Sequence, residues 1–139
     1  RWERYVAEFD GFDAAKVAAY DDAAVARLMQ APDIVHSRAK IESTIRNARA
    51  LLAIEREFGS VRAYQTAFAS YDELRRDTTK RFAYLGDMNT YYWLFRTGAP
   101  VPDVETWMKT QTADHPRVRE MVHQRLATLV AASSAQSAR

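Results

Sequence analysis

Apolar residues recur every three or four positions along most of this chain, which is the period of an α-helix, and strand-like alternation is nearly absent. The clearest pattern covers residues 39–58. Its apolar positions form one broad stripe: Ile41, Ile45, Ala48, Leu51, Leu52 and Phe58. The polar residues of the segment lie mostly off that stripe, so we expect residues 39–58 to form the longest helix of the fold.

Shorter helical patterns lie on both sides of this segment. We predict them over residues 1–9, 61–68 and 71–76, after Asp13, after Asp21 or Asp22, after Asp103, and from Pro116 onward. In the last helix the expected core residues are Val118, Met121, Val122, Leu126 and Leu129. The tail at residues 131–139 is expected to fray. We therefore predict an all-α, compact multi-helix domain, with residues 1–139 as one domain.

Two bends interrupt the helical patterns. Pro32 ends one helix, because a residue before proline leaves the α region, and residues 33–38 then form a polar turn. The second bend is a hairpin around Gly86, where we expect a positive φ and backbone N–H groups facing outward. Asn89 or Thr90 would cap the helix that follows, and outward N–H groups at a helix start are suited to bind an anion.

Composition limits the possible classes of protein. The chain has 139 residues, a hydrophobic fraction of 47%, no cysteine, a net charge of +2 and a pI near 9.0. These values favour a folded globule that is compatible with a nucleic-acid partner. We predict a monomer in the reducing cytoplasm, with no membrane partner. The chain opens at Arg1 inside a helical pattern, so we also expect a further segment upstream.

The sequence of residues 12–50 resembles one known family. FDAAKVAAYDDAAVARLMQAPDIVHSRAKIESTIRNARA contains an FD-x-x-KVA opening, a V-x-R-L-M-Q helix and a KI-x-x-x-I-x-NARA run. These motifs are similar to those of the DNA-3-methyladenine glycosylase I family, within the helix-hairpin-helix glycosylases. The hairpin at residues 82–98 is similar to the family's G-F-x-F-V-G-x-x-x-x-Y segment.

The resemblance implies a helix-hairpin-helix fold and a monofunctional glycosylase that removes an alkylated, 3-methyladenine-type purine from DNA without a cofactor. Bifunctional members of the superfamily place a lysine in the hairpin, where this chain has Met88 and Asn89. DNA containing alkylated bases is the expected partner. The residues that we assign to DNA binding are His36, Ser37, Arg38 and Lys40 in the first bend, and Lys80, Arg81, Tyr84, Gly86, Asn89 and Thr90 around the hairpin.

Asp103 is the candidate catalytic residue in this chain. It follows the hairpin, a helix and an extended segment, the order in which the wider superfamily places a catalytic aspartate. The alternative is that Asp103 is a plain helix cap, with the main catalytic acid upstream of Arg1. The family's zinc site of cysteines and histidines has no counterpart in this sequence, so we predict no metal.

Simpler interpretations remain open for both bends. His36 and Arg38 would only solvate a turn, and Lys80 and Arg81 would be a basic pair beside an ordinary helix connection. Two other functions also fit the sequence: a non-catalytic helix-hairpin-helix DNA-binding module, and a helical protein-interaction domain.

Overall fold

The computed structural model describes residues 2–137, and these residues form helices joined by short bends. The helices are α1 (Trp2–Glu8), α2 (Ala14–Ala18), α3 (Asp22–Gln30), α4 (Arg38–Phe58), α5 (Val61–Gln65), α6 (Tyr71–Arg81), α7 (Asp87–Arg96), α8 (Val104–Met108) and α9 (Pro116–Ser137), with a 3-10 turn at Asp10–Phe12. No strand occurs in residues 2–137, so the all-α prediction is confirmed.

Most helix starts are set by a side chain that precedes the first turn. Each of these N-cap residues accepts a hydrogen bond from the backbone N–H three positions later: Asp13, Asp21, Ser37, Ser60, Ser70 and Asp103. Such caps satisfy N–H groups that have no partner inside the helix. The caps predicted at Asp13, Asp21 and Asp103 are thereby confirmed. The predicted end of α3 is confirmed too, since Ala31, before Pro32, is extended at φ −68° and ψ 127°.

The chain divides into two compact units, Arg1–Leu85 and Gly86–Arg139. The first unit contains α1 to α6 and the second contains α7 to α9. The expectation of one domain over residues 1–139 stays a prediction. None of the described helices is long and apolar enough to cross a membrane.

Helix α4 provides the central surface of the first unit. Its Ile41, Ile45 and Ala48 join one apolar cluster with residues from the preceding segments: Phe9, Val17, Val25, Leu28, Ala31 and Ile34. Further along α4 the fully buried residue is Ile54, whereas the predicted Leu51 and Leu52 are half-buried. The sequence pattern therefore identified the helix and most of its inward face, and missed Ile54.

The second unit is built around two stacked aromatic rings. Tyr91 of α7 lies on Trp107 of α8 with ring centroids 4.3 Å apart and an interplanar angle of 14°. Val118 and Val122 of α9 are also buried, as predicted. Offset stacking of this kind adds to the apolar area that the two rings remove from water.

Three predictions about helix lengths and burial are wrong. At 22 residues α9 is longer than α4, which has 21, and residues 131–137 are helical rather than frayed. The predicted core residues Leu126 and Leu129 are 45% and 46% exposed. Helical spacing shows which residues share a face, but it does not show whether another element covers that face. Residues 138 and 139 lie outside the described part of the chain.

Replacing Ile54 by alanine tests the observed inward face of α4. Because Ile54 is fully buried, we expect Ile54→Ala to lower the free energy of unfolding by about 3 kcal/mol. Leu52→Ala is the matched control on the same helix. Because the Leu52 side chain is half-buried, its loss should lower the free energy of unfolding by only about 1 kcal/mol, measured by urea denaturation. Equal losses from the two variants would contradict this orientation of α4.

Candidate nucleic-acid interface

The first predicted bend is closed by its own hydrogen bonds. The His36 Nε2 lies 2.6 Å from the Ala31 carbonyl oxygen, so this nitrogen carries the proton and donates it. The Ser37 N–H donates to the Val35 carbonyl oxygen over 2.8 Å, and Ile34 is buried beneath the bend. His36 therefore ties the bend to the end of α3. This bonding is more specific than the simple solvation that the sequence left open.

The start of α4 carries basic side chains. Its first turn carries Arg38 and Lys40 and no acidic residue, although a helix N-terminus already has a partial positive charge. Among the other described helices, an acidic residue is present in the first turn of α1, α3, α6, α7 and α8 and absent from that of α2, α5 and α9. Positive charge on a positive helix end is stabilised by a bound anion. The four predicted site residues of the first bend, His36, Ser37, Arg38 and Lys40, thus lie together at the start of α4, and their contact with DNA stays a prediction.

Arg38 forms an exposed ion pair at this helix start. The Arg38 Nη1 lies 3.0 Å from the Glu42 Oε1, and both side chains are more than half exposed. Exposed pairs of this kind contribute little and exchange readily with other partners. Lys40 is exposed beside a cavity of about 230 Å³ with mainly apolar walls: Tyr5, Phe9, Ile34, Val35, Ile41 and Thr44.

The hairpin differs from its prediction at the glycine. Gly86 has φ −72° and ψ 177°, and the positive φ of 57° belongs instead to Tyr84, whose side chain is 66% exposed. Gly86 is the N-cap residue of α7, so the predicted cap at Asn89 or Thr90 is wrong. Both residues lie in the first turn of the helix. The Thr90 side chain is buried and its N–H donates to the Gly86 carbonyl oxygen over 2.9 Å, so Thr90 acts inside the protein.

Gly86 occupies a position that does not require glycine for the fold. Its backbone is extended, a conformation that any residue adopts, and no described atom other than those of Gly86 and its two chain neighbours lies within 4 Å of the place where a Cβ would stand. Glycine is otherwise disfavoured by its large entropy loss on folding. The open space above Gly86 allows another molecule to approach the backbone closely at a helix N-terminus.

Arg81 forms ion pairs within the protein, and its predicted contact with DNA stays a prediction. It lies in the last turn of α6, which extends five residues beyond the predicted segment 71–76. Its guanidinium donates to both Glu57 carboxylate oxygens, over 2.8 and 3.2 Å, and to Asp77 over 2.6 Å. It also lies 5.5 Å from the centroids of the Phe58 and Tyr64 rings. These bonds to Glu57 and Asp77 raise the pKa of Arg81 and join α6 to α4. The neighbouring Lys80 is exposed, as its predicted role requires.

Asn47 also lies in this region, and no function is predicted for it from the sequence. Its Nδ2 donates to the Ala83 carbonyl oxygen over 3.0 Å, and its Oδ1 accepts from the Ala83 N–H over 2.7 Å. One side chain on α4 thus pairs with both backbone groups of the residue before Tyr84. The available signal was a polar residue between Ile45 and Ala48 on an otherwise apolar face.

Asp103 has the geometry of a helix cap. Its Oδ1 accepts from the Thr106 N–H over 3.0 Å and its Oδ2 accepts from the Thr106 hydroxyl over 2.6 Å. The hydroxyl bond, followed by the backbone bond, lowers the pKa of Asp103 below its ordinary value. A carboxylate held in its ionised form by two donors is a weak base, which supports the capping alternative.

The described residues also lack the donors of a zinc site. The sequence has no cysteine, and residues 2–137 contain no group of three or more histidine and acidic side chains placed to hold a metal ion. The ligand set expected of the family therefore does not fit this chain.

Residues 1–90 match the family model for methyladenine glycosylase. The chain is similar to a crystal structure of 3-methyladenine DNA glycosylase I, with 30% identity, a TM-score of 0.54, and coverage of 67% of this chain and 63% of that one. A mutant of 3-methyladenine DNA glycosylase I in complex with 3-methyladenine gives 26% identity, a TM-score of 0.55, and coverage of 66% and 61%. A mutant of 3-methyladenine DNA glycosylase I from Staphylococcus aureus gives 25% identity and a TM-score of 0.57, with coverage of 81% of this chain and 71% of that one. The chain therefore spans less than two thirds of the first two structures.

Substitutions at two adjacent basic residues test whether the ion pairs of Arg81 stabilise the fold. Arg81→Leu removes bonds to two carboxylates, so we expect the free energy of unfolding to fall by about 2 kcal/mol. Lys80→Ala, in the same helical turn, should change it by less than about 0.5 kcal/mol. Thermal denaturation of both variants would show the difference. An Arg81→Leu protein as stable as Lys80→Ala would contradict the internal role.

Proposed function

Because this chain belongs to the methyladenine glycosylase family, we propose that it is a monofunctional DNA-repair glycosylase that removes a 3-methyladenine-type purine. The observation that carries this proposal is the match over residues 1–90, which includes both the basic start of α4 and the Gly86 hairpin. The related structure that contains 3-methyladenine supports the class of base. We propose DNA with alkylated bases as the partner and, since the chain has no cysteine, a reducing compartment such as the cytoplasm.

The proposed reaction is hydrolysis of one bond. A purine methylated at N3 is cationic, so it leaves as a neutral base when the bond to C1′ of the sugar breaks. A water oxygen then bonds to C1′ and releases its proton to solvent, and the phosphodiester strand stays intact. The leaving group needs little acid catalysis, so the main work of the protein is to extract the base from the stack and hold the strand.

The first proposed contact with the strand is the start of α4. Arg38 and Lys40 add two cations to a helix N-terminus that has no acidic residue in its first turn. A DNA phosphate supplies the negative charge that this end lacks. The His36 bond to the Ala31 carbonyl holds the bend in place while the strand binds. Contacts of this kind position the strand without reading its sequence.

The second proposed contact is at Gly86. A phosphate oxygen that approaches the backbone at the α7 N-terminus would use the space that a Cβ would otherwise occupy. Tyr84, two residues earlier and exposed, is proposed to stack on a base, and Lys80 and Asn89 to contact the backbone. Asp87, in the first turn of α7, weakens the attraction for an anion, so close approach of the backbone rather than net charge carries this contact.

A non-catalytic DNA-binding module is the second candidate, and one observation favours it. Asp103, the predicted catalytic carboxylate, is bound to Thr106 as a cap, and we assign no catalytic group among the described residues. The module would bind the same DNA and release no base. A helical protein-interaction domain has no comparable support, because it does not account for the open Gly86 or the basic start of α4.

Alkylated duplex DNA provides the test of the proposed function. We expect the protein to release 3-methyladenine, detected by chromatography, and to leave the strand uncut. Asp103→Asn should retain this activity, because asparagine also caps helices. Binding to the duplex without release of any base would favour the DNA-binding module. A protein that neither binds the duplex nor releases a base would overturn both candidates.

Gly86→Ala separates the role of Gly86 in binding from any role in folding. Alanine is a weaker helix cap than glycine, but it also lowers the conformational entropy of the unfolded chain. Because these effects offset each other, the free energy of unfolding should change by less than about 0.5 kcal/mol. Duplex affinity should fall about tenfold, which corresponds to about 1.4 kcal/mol. The matched control is Gly59→Ala, where φ is 88°. It should lower stability by more than about 1 kcal/mol and leave affinity unchanged. Unchanged affinity in Gly86→Ala would contradict the proposed phosphate contact.

A further inference from the structure

We infer that Asn47 is a positioning residue that fixes the backbone at the entry of the proposed DNA-binding hairpin, an inference that rests on the proposed function. The observation is the paired bond between the Asn47 carboxamide and the Ala83 backbone, with distances of 3.0 Å and 2.7 Å. A carboxamide offers one donor and one acceptor side by side, which is the arrangement that a single peptide residue presents in an extended segment.

The residue that follows Ala83 explains why a clamp is needed. Tyr84 has φ 57°, a region in which a non-glycine residue carries about 1 kcal/mol or more of strain. Such a conformation persists only when its surroundings determine it. Asn47 fixes the backbone immediately before Tyr84, and Phe82, one residue earlier, is buried and donates its N–H to the Thr78 carbonyl oxygen. The chain therefore enters the hairpin in one defined direction.

The position of Asn47 on α4 indicates that its amide is the reason for its presence. Asparagine is less favourable than alanine inside a helix by roughly half a kcal/mol. Asn47 lies seven residues before the buried Ile54, so the two share one face of α4, where an apolar residue would fit. Because α4 is packed into the core, the bond from Asn47 to Ala83 fixes the backbone at the entry of the hairpin relative to that core.

The role is one of positioning and not of contact. Asn47 is half-buried and both of its polar atoms are bonded to Ala83, so it reaches the strand only through the backbone that it holds. Without the Asn47 bonds, the Tyr84 backbone can relax and the entry of the hairpin takes several conformations. The phosphate contact at the hairpin then becomes weaker, whereas the contact at the start of α4 is unchanged.

Two substitutions at Asn47 test the inference against a control. Asn47→Ala removes both bonds, and Asn47→Asp keeps the acceptor but places a carboxylate against the Ala83 carbonyl oxygen. The control is Ser60→Ala, which removes one side-chain bond to the Ala63 N–H in the same unit without changing the charge. Asn47→Ala should bind duplex DNA about tenfold more weakly. Ser60→Ala should bind like the unmodified protein.

The salt dependence of binding separates positioning from general destabilisation. Loss of one phosphate contact reduces the slope of log K against log salt by about 0.9. We expect this reduction in Asn47→Ala and not in Ser60→Ala. Amide hydrogen exchange should also be faster at Ala83 in Asn47→Ala, in the absence of DNA. Equal affinity and slope in the two variants would overturn the inference.

Failure of the inference is distinguishable from failure of the proposed function. If the unmodified protein does not bind DNA, the proposed function fails, and the exchange measurement still reports on the clamp. If the unmodified protein binds and Asn47→Ala binds equally well, only the positioning role fails. Unchanged exchange at Ala83 in Asn47→Ala would also overturn that role.

Discussion

Burial of one face of α4 is the constraint on which the first unit depends. Ile41, Ile45, Ala48 and Ile54 remove that face from water, and the surrounding helices take their positions from it. Three polar features of the same helix contribute to the proposed function. Its basic N-terminus meets the first bend, Asn47 holds the hairpin entry, and Glu57 binds Arg81 at the end of α6.

In the proposed function, attraction for DNA and the structure that directs the DNA come from different residues. The cations at the start of α4 are exposed, so they act at the surface and their effect depends on salt. Arg81 is also a cation near the hairpin, but its charge is used inside the protein to join two helices. Gly86 adds no charge and instead allows a close approach to the backbone. Affinity and geometry thus come from different residues.

Local patterns predicted much of the helical fold and little of the site. The caps at Asp13, Asp21 and Asp103 depend on residues three positions apart, so the sequence alone locates them. One partner of Arg81, Glu57, is 24 residues away in sequence, and the partner of Asn47, Ala83, is 36 residues away. No local pattern shows such bonds. For the same reason Arg81 is predicted from the sequence to contact DNA, and no role is predicted for Asn47.

The exposed face of α9 and the hairpin torsions show two other limits. Leu126 and Leu129 fit the helical stripe, but coverage of that stripe depends on tertiary packing. A glycine in a hairpin favours a positive φ, yet Tyr84 takes that conformation, directly after a residue whose backbone is bonded to Asn47. Tertiary bonds can thus place strain on a residue whose intrinsic preference is against it.

The most direct test of the central claim is the affinity of the unmodified protein for duplex DNA, measured between about 50 and 200 mM salt. The claim is that the α4 N-terminus and the Gly86 hairpin each hold a phosphate. Two phosphate contacts predict that log K falls linearly with log salt, with a slope of about −1.8 or steeper. An affinity that does not change with salt, or no binding at the lowest salt, would contradict the account.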